Sequence, residues 1–226
     1  MRGLMTKRPH KTIAVMQPYF IPYTGYFRLL SETDLFVVYD CVQFQRRGWL
    51  HRNKLPDHSG LSQWLTLPLE KAPQSVLIKD LKLTEDAKTE IPNRLSRFPL
   101  TAADPALELD VLSQMIPTTS NAVEYICDLL KYFSEYLGIS WNVVKSSSLE
   151  LPDDLRGPDR IIEIVKRLEG THYLNAPGGR DLYDAAHFAE HDLTLQFLPE
   201  YTADVSSILS RVLTDKKGQI QCDLKA

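Results

Sequence analysis

Two groups of polar residues have types and spacing suited to chemistry. The first runs from Gln17-Pro18-Tyr19 through Tyr23-Thr24-Gly25-Tyr26 to Asp40 and Gln43, and ends in Arg46-Arg47-Gly48-Trp49-Leu50-His51-Arg52-Asn53-Lys54. Asp40 can serve as general base, metal ligand or ribose contact, and Gln43 can recognise an amide or a sugar hydroxyl. Arg46, Arg47, Arg52 and Lys54 can hold phosphate or carboxylate, a guanidinium being suited to two parallel hydrogen bonds. His51 titrates near neutrality and can shuttle a proton. The Tyr23 phenol can donate to phosphate but carries no positive charge at neutral pH. If Trp49–Leu55 is a strand, alternate residues share a face, with Trp49 and His51 on one side and Leu50 and Arg52 on the other.

The second group is His172-Tyr173-Leu174-Asn175 followed by Gly178-Gly179-Arg180-Asp181. Here Asn175 can orient a ligand, Gly178 and Gly179 can expose backbone amides, and Arg180 can neutralise an anion. Each group also has a plainer explanation. Asp40 can be a loop-capping carboxylate, the tyrosines a core aromatic cluster, Arg46 and Lys54 solvated charges, and His51 an exposed side chain. Cys41 has no assignable partner base and reads as a buried thiol. Asp181 can cap a helix. Ser146-Ser147-Ser148 can add hydroxyls to the same rim or be a linker. No metal-ligand set is assigned and the cofactor is left unspecified. No Walker loop, Rossmann glycine fingerprint or His-Glu-x-x-His pair occurs.

These residues need elements to position them. Thr12–Met16 reads as a strand that leads into a Pro- and Tyr-rich loop, Thr24–Ser31 as a helix, and Leu35–Tyr39 as a buried parallel strand: one βαβ unit. Gln17, Tyr19, Tyr23 and Gly25 then sit beyond a strand's carboxyl end, where α/β proteins bind ligands. Gly25 can admit a ligand to the backbone, and the helix start offers free amides for phosphate. Trp49–Leu55, Gln63–Leu67 and Ile78–Leu83 read as antiparallel strands, and Thr84–Phe98 and Ser120–Leu137 as helices. The α/β rhythm resumes with strand Ile139–Lys145, helix Pro158–Leu168, strand His172–Leu174, helix Leu182–Glu190 and strand Leu193–Leu198. The expected fold is therefore α/β, a Rossmann-like parallel sheet of the nucleotidyltransferase kind with an inserted antiparallel strand and helical region. The expected domain plan is a flexible tail over 1–11, one domain over 12–200 with an insertion at about 48–138, and a C-terminal tail over 201–226.

Composition bounds the partners. The chain has 226 residues, 43% hydrophobic and 24% charged, with a formal net charge of −3. That is the balance of a folded globular domain, and it argues against generic capture of DNA, which needs a clustered basic surface. Cys41, Cys127 and Cys222 are widely spaced and odd in number, which suggests neither a disulfide framework nor a zinc site. The basic start lacks the apolar core of a signal peptide, and no long apolar run follows. A cytoplasmic protein with no membrane span is the expectation.

The run Met16-Gln17-Pro18-Tyr19-Phe20-Ile21-Pro22-Tyr23-Thr24-Gly25-Tyr26-Phe27 resembles the opening signature of the WbqC-like family. Phe36-Val37-Val38-Tyr39-Asp40 with Val42-Gln43-Phe44, then Gly48-Trp49 with Arg52-Asn53, then Thr171-His172-Tyr173-Leu174-Asn175 with Gly178-Gly179, follow in the same order. Cys41 stands where the family usually carries a second Asp, and His51 where another residue is common. The resemblance implies biosynthetic chemistry, of a surface polysaccharide or specialised metabolite, more than a defined reaction, and the expectation built on it and on the residues is a transferase. It would act on an amine or sugar hydroxyl with a phosphate-bearing donor: a nucleotide, an acyl carrier or an aminoacyl-tRNA. The opening also invites comparison with nucleotidyltransferases and class I aminoacyl-tRNA synthetases, whose first helix begins at His-x-Gly-His. Tyr23-Thr24-Gly25-Tyr26 replaces both histidines, so binding fits better than adenylyl transfer. On this reading Asp40, His51 and Tyr23 are the candidate catalytic residues. Gln17, Tyr19, Gly25, Gln43, Arg47, Trp49, Arg52, Asn53, Asn175, Gly178, Gly179 and Arg180 are the candidate binding residues. A non-catalytic ligand-binding or scaffold protein of a biosynthetic cluster is the alternative, and tRNA or a carrier protein is a possible partner.

Overall fold

The computed structural model describes residues 9–225. In chain order its elements are β1 (Thr12–Met16), α1 (Thr24–Ser31), β2 (Leu35–Val38), β3 (Arg52–Pro56), β4 (Ser62–Thr66), α2 (Ala87–Leu95), α3 (Pro105–Gln114) and α4 (Ala122–Leu137). There follow β5 (Val143–Lys145), α5 (Gly157–Arg167), β6 (His172–Asn175), α6 (Ala185–Ala189), β7 (Thr194–Phe197), α7 (Ile208–Thr214) and α8 (Lys217–Asp223). Five strands form one parallel sheet in the order β5-β2-β1-β6-β7, and β3 pairs with β4 in a separate antiparallel hairpin. The chain is thus α/β with a Rossmann-like order, as its sequence rhythm implies.

The strand period of two divides the core. Ile13, Val15, Val37 and Tyr173 point to one face and pack with Ile161, Ile164 and Val165 of α5 and with Phe188 of α6. Ala14, Phe36, Val38 and Leu174 point to the other and pack with α1, α4 and α7. The pairing of Ile13 with Leu35 on one side and with Tyr173 on the other sets the register. A one-residue slip would exchange the two faces, so this register is strongly specified. α4 buries Val123, Ile126, Leu130, Phe133 and Leu137 along one stripe. Asn121 caps its start through the amides of Val123 and Glu124, and Gly138 ends it at φ 81°.

Several boundaries differ from expectation. The strand expected over Trp49–Leu55 begins only at Arg52, because Arg47 adopts a left-handed φ of 67° and Gly48–His51 turn before the hairpin forms. Trp49 and His51 therefore do not share a strand face. Ile78–Leu83 is not a strand: Leu81 N–H closes onto Ile78 O at 3.2 Å, and Ile78–Asp80 is a single 3₁₀ turn. Its apolar residues are buried from a turn. The helix after the second loop starts at Ala185, capped by Asp184 rather than Asp181. The segment expected as a C-terminal tail carries α7 and α8, which bury Ile208, Leu209, Val212, Leu213 and Ile220. Arg211, buried within it, pairs with Asp215 and Asp223 at 2.7 Å each and donates to Thr24 Oγ1 at 3.3 Å, tying this segment to the start of α1. Among the described residues no helix is long and apolar enough to cross a membrane.

Candidate functional site

Between β1 and β6 the strand order reverses, and at such a point the loops leaving the two strands diverge to opposite faces of the sheet. A cleft of about 650 Å³ opens there, at the carboxyl ends of both strands. Its walls include Gln17, Tyr19, Tyr23 and Gly25 from the first loop and helix, and Asn175, Gly178 and Gly179 from the second. Tyr26, Tyr39, Tyr173, Tyr183 and Tyr201 complete an unusually phenol-rich lining, with Gln45 and Glu200 at its edge.

The first loop is held hard. Ile21 has a φ of 41°, a conformation that costs a β-branched residue about 1–3 kcal/mol and persists only when its surroundings enforce it. The Asn53 amide donates to Phe20 O at 3.1 Å and Ile21 O at 2.7 Å, and Ser207 Oγ donates to Ile21 O at 2.8 Å. Ile208 N–H adds a bond to Pro22 O at 2.8 Å. Tyr26 O–H reaches back to Gln17 O at 2.9 Å. Asn53 is thus a positioning residue, its side-chain oxygen accepting from Lys54 N–H at 2.7 Å.

Glycine has different reasons at different positions. A Cβ on Gly25 would collide with the Tyr23 ring and lie 2.7 Å from Tyr201 Cγ. Its bareness admits two protein rings, which meet edge-on at 5.3 Å, rather than a ligand as the sequence suggested. A Cβ on Gly179 would collide with the Asn175 amide, whereas one on Gly178 meets open space.

Burial sets the electrostatics. Desolvation raises the pKa of Tyr19, Tyr23, Tyr183 and Tyr201, pushes Tyr39 up to about 12, and carries Tyr26 and Tyr173 well above the ordinary phenol value. These phenols stay protonated at neutral pH, and the Tyr26 donor is already taken by Gln17 O. Arg28 opposes the shift at Tyr23, and Glu200 adds to it. Arg28 is only 5% exposed, donates to Pro199 O at 3.2 Å and stands 5.8 Å from the Tyr201 ring centroid. Among the described residues it has no carboxylate within salt-bridge distance. A buried positive charge therefore lies behind the cleft wall.

The remaining candidates lie elsewhere. Asp40, 1% exposed, accepts from Ser146 Oγ (2.9 Å), Ser147 N–H (2.8 Å) and Ser147 Oγ (2.7 Å), joining the ends of β2 and β5. It is absent from the cleft wall. His51 lines a separate pocket of about 350 Å³ with Arg46 and Arg47, where burial, then Arg52 and Arg46, lower its pKa to about 4. The Gln43 amide donates to Gln74 O at 2.8 Å. Arg52 stacks on Trp64 at 4.0 Å and donates to Arg47 O. Arg180 stacks on Phe197 at 5.0 Å and reaches Leu198 O at 3.3 Å. Neither arginine lines the cleft, so the expected anion clamp is not assembled there. Trp49 and Asn53 line a neighbouring recess of about 390 Å³, which shares Tyr19 and Tyr23 with the cleft. Among the described residues no cluster of three or more His, Cys, Asp or Glu is arranged to hold a metal.

The profile of the WbqC-like protein family matches residues 17–204, a span that takes in every wall of the cleft except its β1 side and Val205. The chain belongs to the WbqC-like protein family. A relative in Mycobacterium tuberculosis (strain ATCC 25618 / H37Rv), described as "Uncharacterized protein Rv1507c", is 29% identical over 186 residues, covering 80% of this chain and 78% of that protein. No solved structure matches significantly. Within this WbqC-like chain, sequence reasoning missed Tyr39, Glu200, Tyr201 and Arg28. Tyr39 follows β2 and Glu200-Tyr201 follow β7, so the strand-end rule that found Gln17 and Asn175 reaches them too. Arg28 left no signal, because a helical arginine normally reads as solvated.

Proposed function

We propose that this chain is a transferase that seats a phosphate-bearing donor in the switch-point cleft and passes a group to an amine or sugar hydroxyl. The observation that carries the reading is the coincidence of three features at one place: the strand-order reversal, the 650 Å³ cleft, and the uncapped start of α1. The first turn of α1 holds no acidic residue, and Tyr23 makes no side-chain cap bond, so the positive dipole end of this helix suits a phosphate. Arg28 adds charge of the same sign from behind. Protonated phenols suit donor oxygens, and Glu200 is the cleft carboxylate able to take the acceptor's proton.

Nucleotide sugars, acyl carriers and aminoacyl-tRNA all present phosphate and are made in the cytoplasm, where this reading places the protein. Its setting is biosynthesis of a surface polysaccharide or specialised metabolite. A specific observation supports the second reading, a binding protein without turnover: Asp40 and His51 stand outside the cleft. Calorimetric titration of each donor class, with mass spectrometry of products from amine and sugar acceptors, separates the two. Turnover that falls about 10²-fold or more in Glu200→Gln at unchanged donor affinity supports the transferase. Tight binding without product from any pair supports the binding protein, and no binding by any donor defeats both.

A further inference from the structure

We infer that the recess beside the cleft is the acceptor subsite and that it takes a pyranose ring, an inference that rests on the transferase reading above. The recess is walled by Tyr19, Pro22, Tyr23, Trp49, Asn53 and Val205. Tyr19, Tyr23 and Val205 also wall the cleft, so a ring in the recess would sit alongside a donor in the cleft, as group transfer between two bound molecules requires.

The wall chemistry selects a ring with an apolar face and a hydroxylated edge. Among the described residues no charged side chain lines the recess. Trp49 is 46% exposed yet braced from behind: Trp64 stands 5.4 Å away, itself under the Arg52 guanidinium at 4.0 Å and Lys54 Nζ at 5.1 Å. A fixed indole presented to water is a stacking platform, since sugar C–H bonds carry slight positive charge and pack on a π face. The Tyr19 and Tyr23 phenols are the donors available for ring oxygens. A nucleobase could stack on the same indole, but the side chain that best matches its edge is an amide, which pairs a donor and an acceptor in one plane. The Asn53 amide nitrogen is engaged by Phe20 O and Ile21 O, and its oxygen by Lys54 N–H. Past Trp49 the space continues into a groove of about 380 Å³ lined by Lys54, Pro56, Gly60, Ser62 and Ser206, which gives a second sugar unit room.

The test uses the full-length protein with methyl pyranosides, the corresponding disaccharides and adenosine as probes, read by saturation-transfer NMR and tryptophan fluorescence titration. Donor affinity is measured separately with nucleotide sugars. At least one pyranoside should bind, its disaccharide more tightly, and Trp49→Ala should weaken both by about tenfold at unchanged donor affinity. Because Trp49 is half exposed, circular dichroism of that variant should match wild type. Failure of every pyranoside to bind, equal binding by Trp49→Ala, or preferential Trp49-dependent binding of adenosine would overturn the inference. Trp49-dependent pyranoside binding in a protein that binds no donor would overturn the acceptor assignment together with the transferase reading. Donor binding without any pyranoside binding would remove the subsite alone.

Discussion

Replacing Asp40 distinguishes a catalytic carboxylate from a structural one. Its two oxygens accept three hydrogen bonds from Ser146 and Ser147, all buried or partly buried, at 2.7–2.9 Å. Hydrogen bonds to a charged group contribute about 1.5–3 kcal/mol each, and these three share one acceptor and are not additive. Asp40→Ala should therefore cost about 3–5 kcal/mol, a large share of the 5–15 kcal/mol typical of a domain. Asp40→Asn keeps one oxygen for Ser146 Oγ and Ser147 N–H, and its amide can donate to a rotated Ser147 hydroxyl. It should cost about 1–2 kcal/mol, the loss of charge assistance. Urea unfolding followed by fluorescence measures both, and a two-state fit separates a change in midpoint from a change in slope. Donor binding per folded molecule should survive in Asp40→Asn. If Asp40→Asn left stability within about 0.5 kcal/mol of wild type and abolished turnover, the structural assignment would fail and Asp40 would return as a catalyst.

Other substitutions probe the cleft and the hairpin. Gly179→Ala pushes a methyl into the Asn175 amide and should cost about 1–3 kcal/mol with loss of donor affinity, whereas Gly178→Ala faces open space and should stay within about 0.5 kcal/mol; thermal melts and titration compare the pair. Gly25→Ala must part the Tyr23 and Tyr201 rings, so donor affinity should fall along with stability; unchanged affinity would show that the rings are not part of the site. His51 has its folded pKa lowered from 6.5 to about 4, so below its unfolded value the unfolded chain binds the proton more readily. The stability that neutral His51 contributes is full above about pH 6.5 and is lost as pH falls toward 4; His51→Phe should flatten urea-midpoint profiles across that window, and an unaltered slope would refute the burial argument.

The parallel sheet was legible because it rests on local rules. β-rich runs such as Thr12–Met16 and Leu35–Val38 alternate with helical stripes, and only one register buries both faces. Half of the site was legible for a related reason: strand ends are local, and in a parallel sheet all carboxyl ends lie on one edge, so Gln17, Tyr19, Tyr23 and Asn175 had to be neighbours once β1 and β6 paired. What misled was the basic run Arg46–Lys54. Its charges look like an anion clamp, but the left-handed Arg47 turns the chain, and Arg52 spends its guanidinium on Trp64 and the Arg47 carbonyl. A backbone sign change at one non-glycine residue leaves little trace in composition.

The role of Asp40 was hidden differently. Its partners Ser146 and Ser147 lie more than a hundred residues away, and they meet it only because β2 and β5 pair in register from Phe36 with Val143 to Val38 with Lys145. A carboxylate at a strand end is a ligand contact or a strut according to what the neighbouring strand delivers. At the outer β5 edge it delivers two serines that give three hydrogen bonds to the two carboxylate oxygens, while at the central reversal beside β6 the edge opens into a cleft. Polar residues that end β1 and β6 face the cleft, and after β2 the chain divides: Tyr39 lines the cleft, while Asp40, one residue on, is held by the neighbouring strand's serines. Residue type therefore gives the capacity for chemistry, and what the neighbouring strand delivers beside each residue decides which are free to use it.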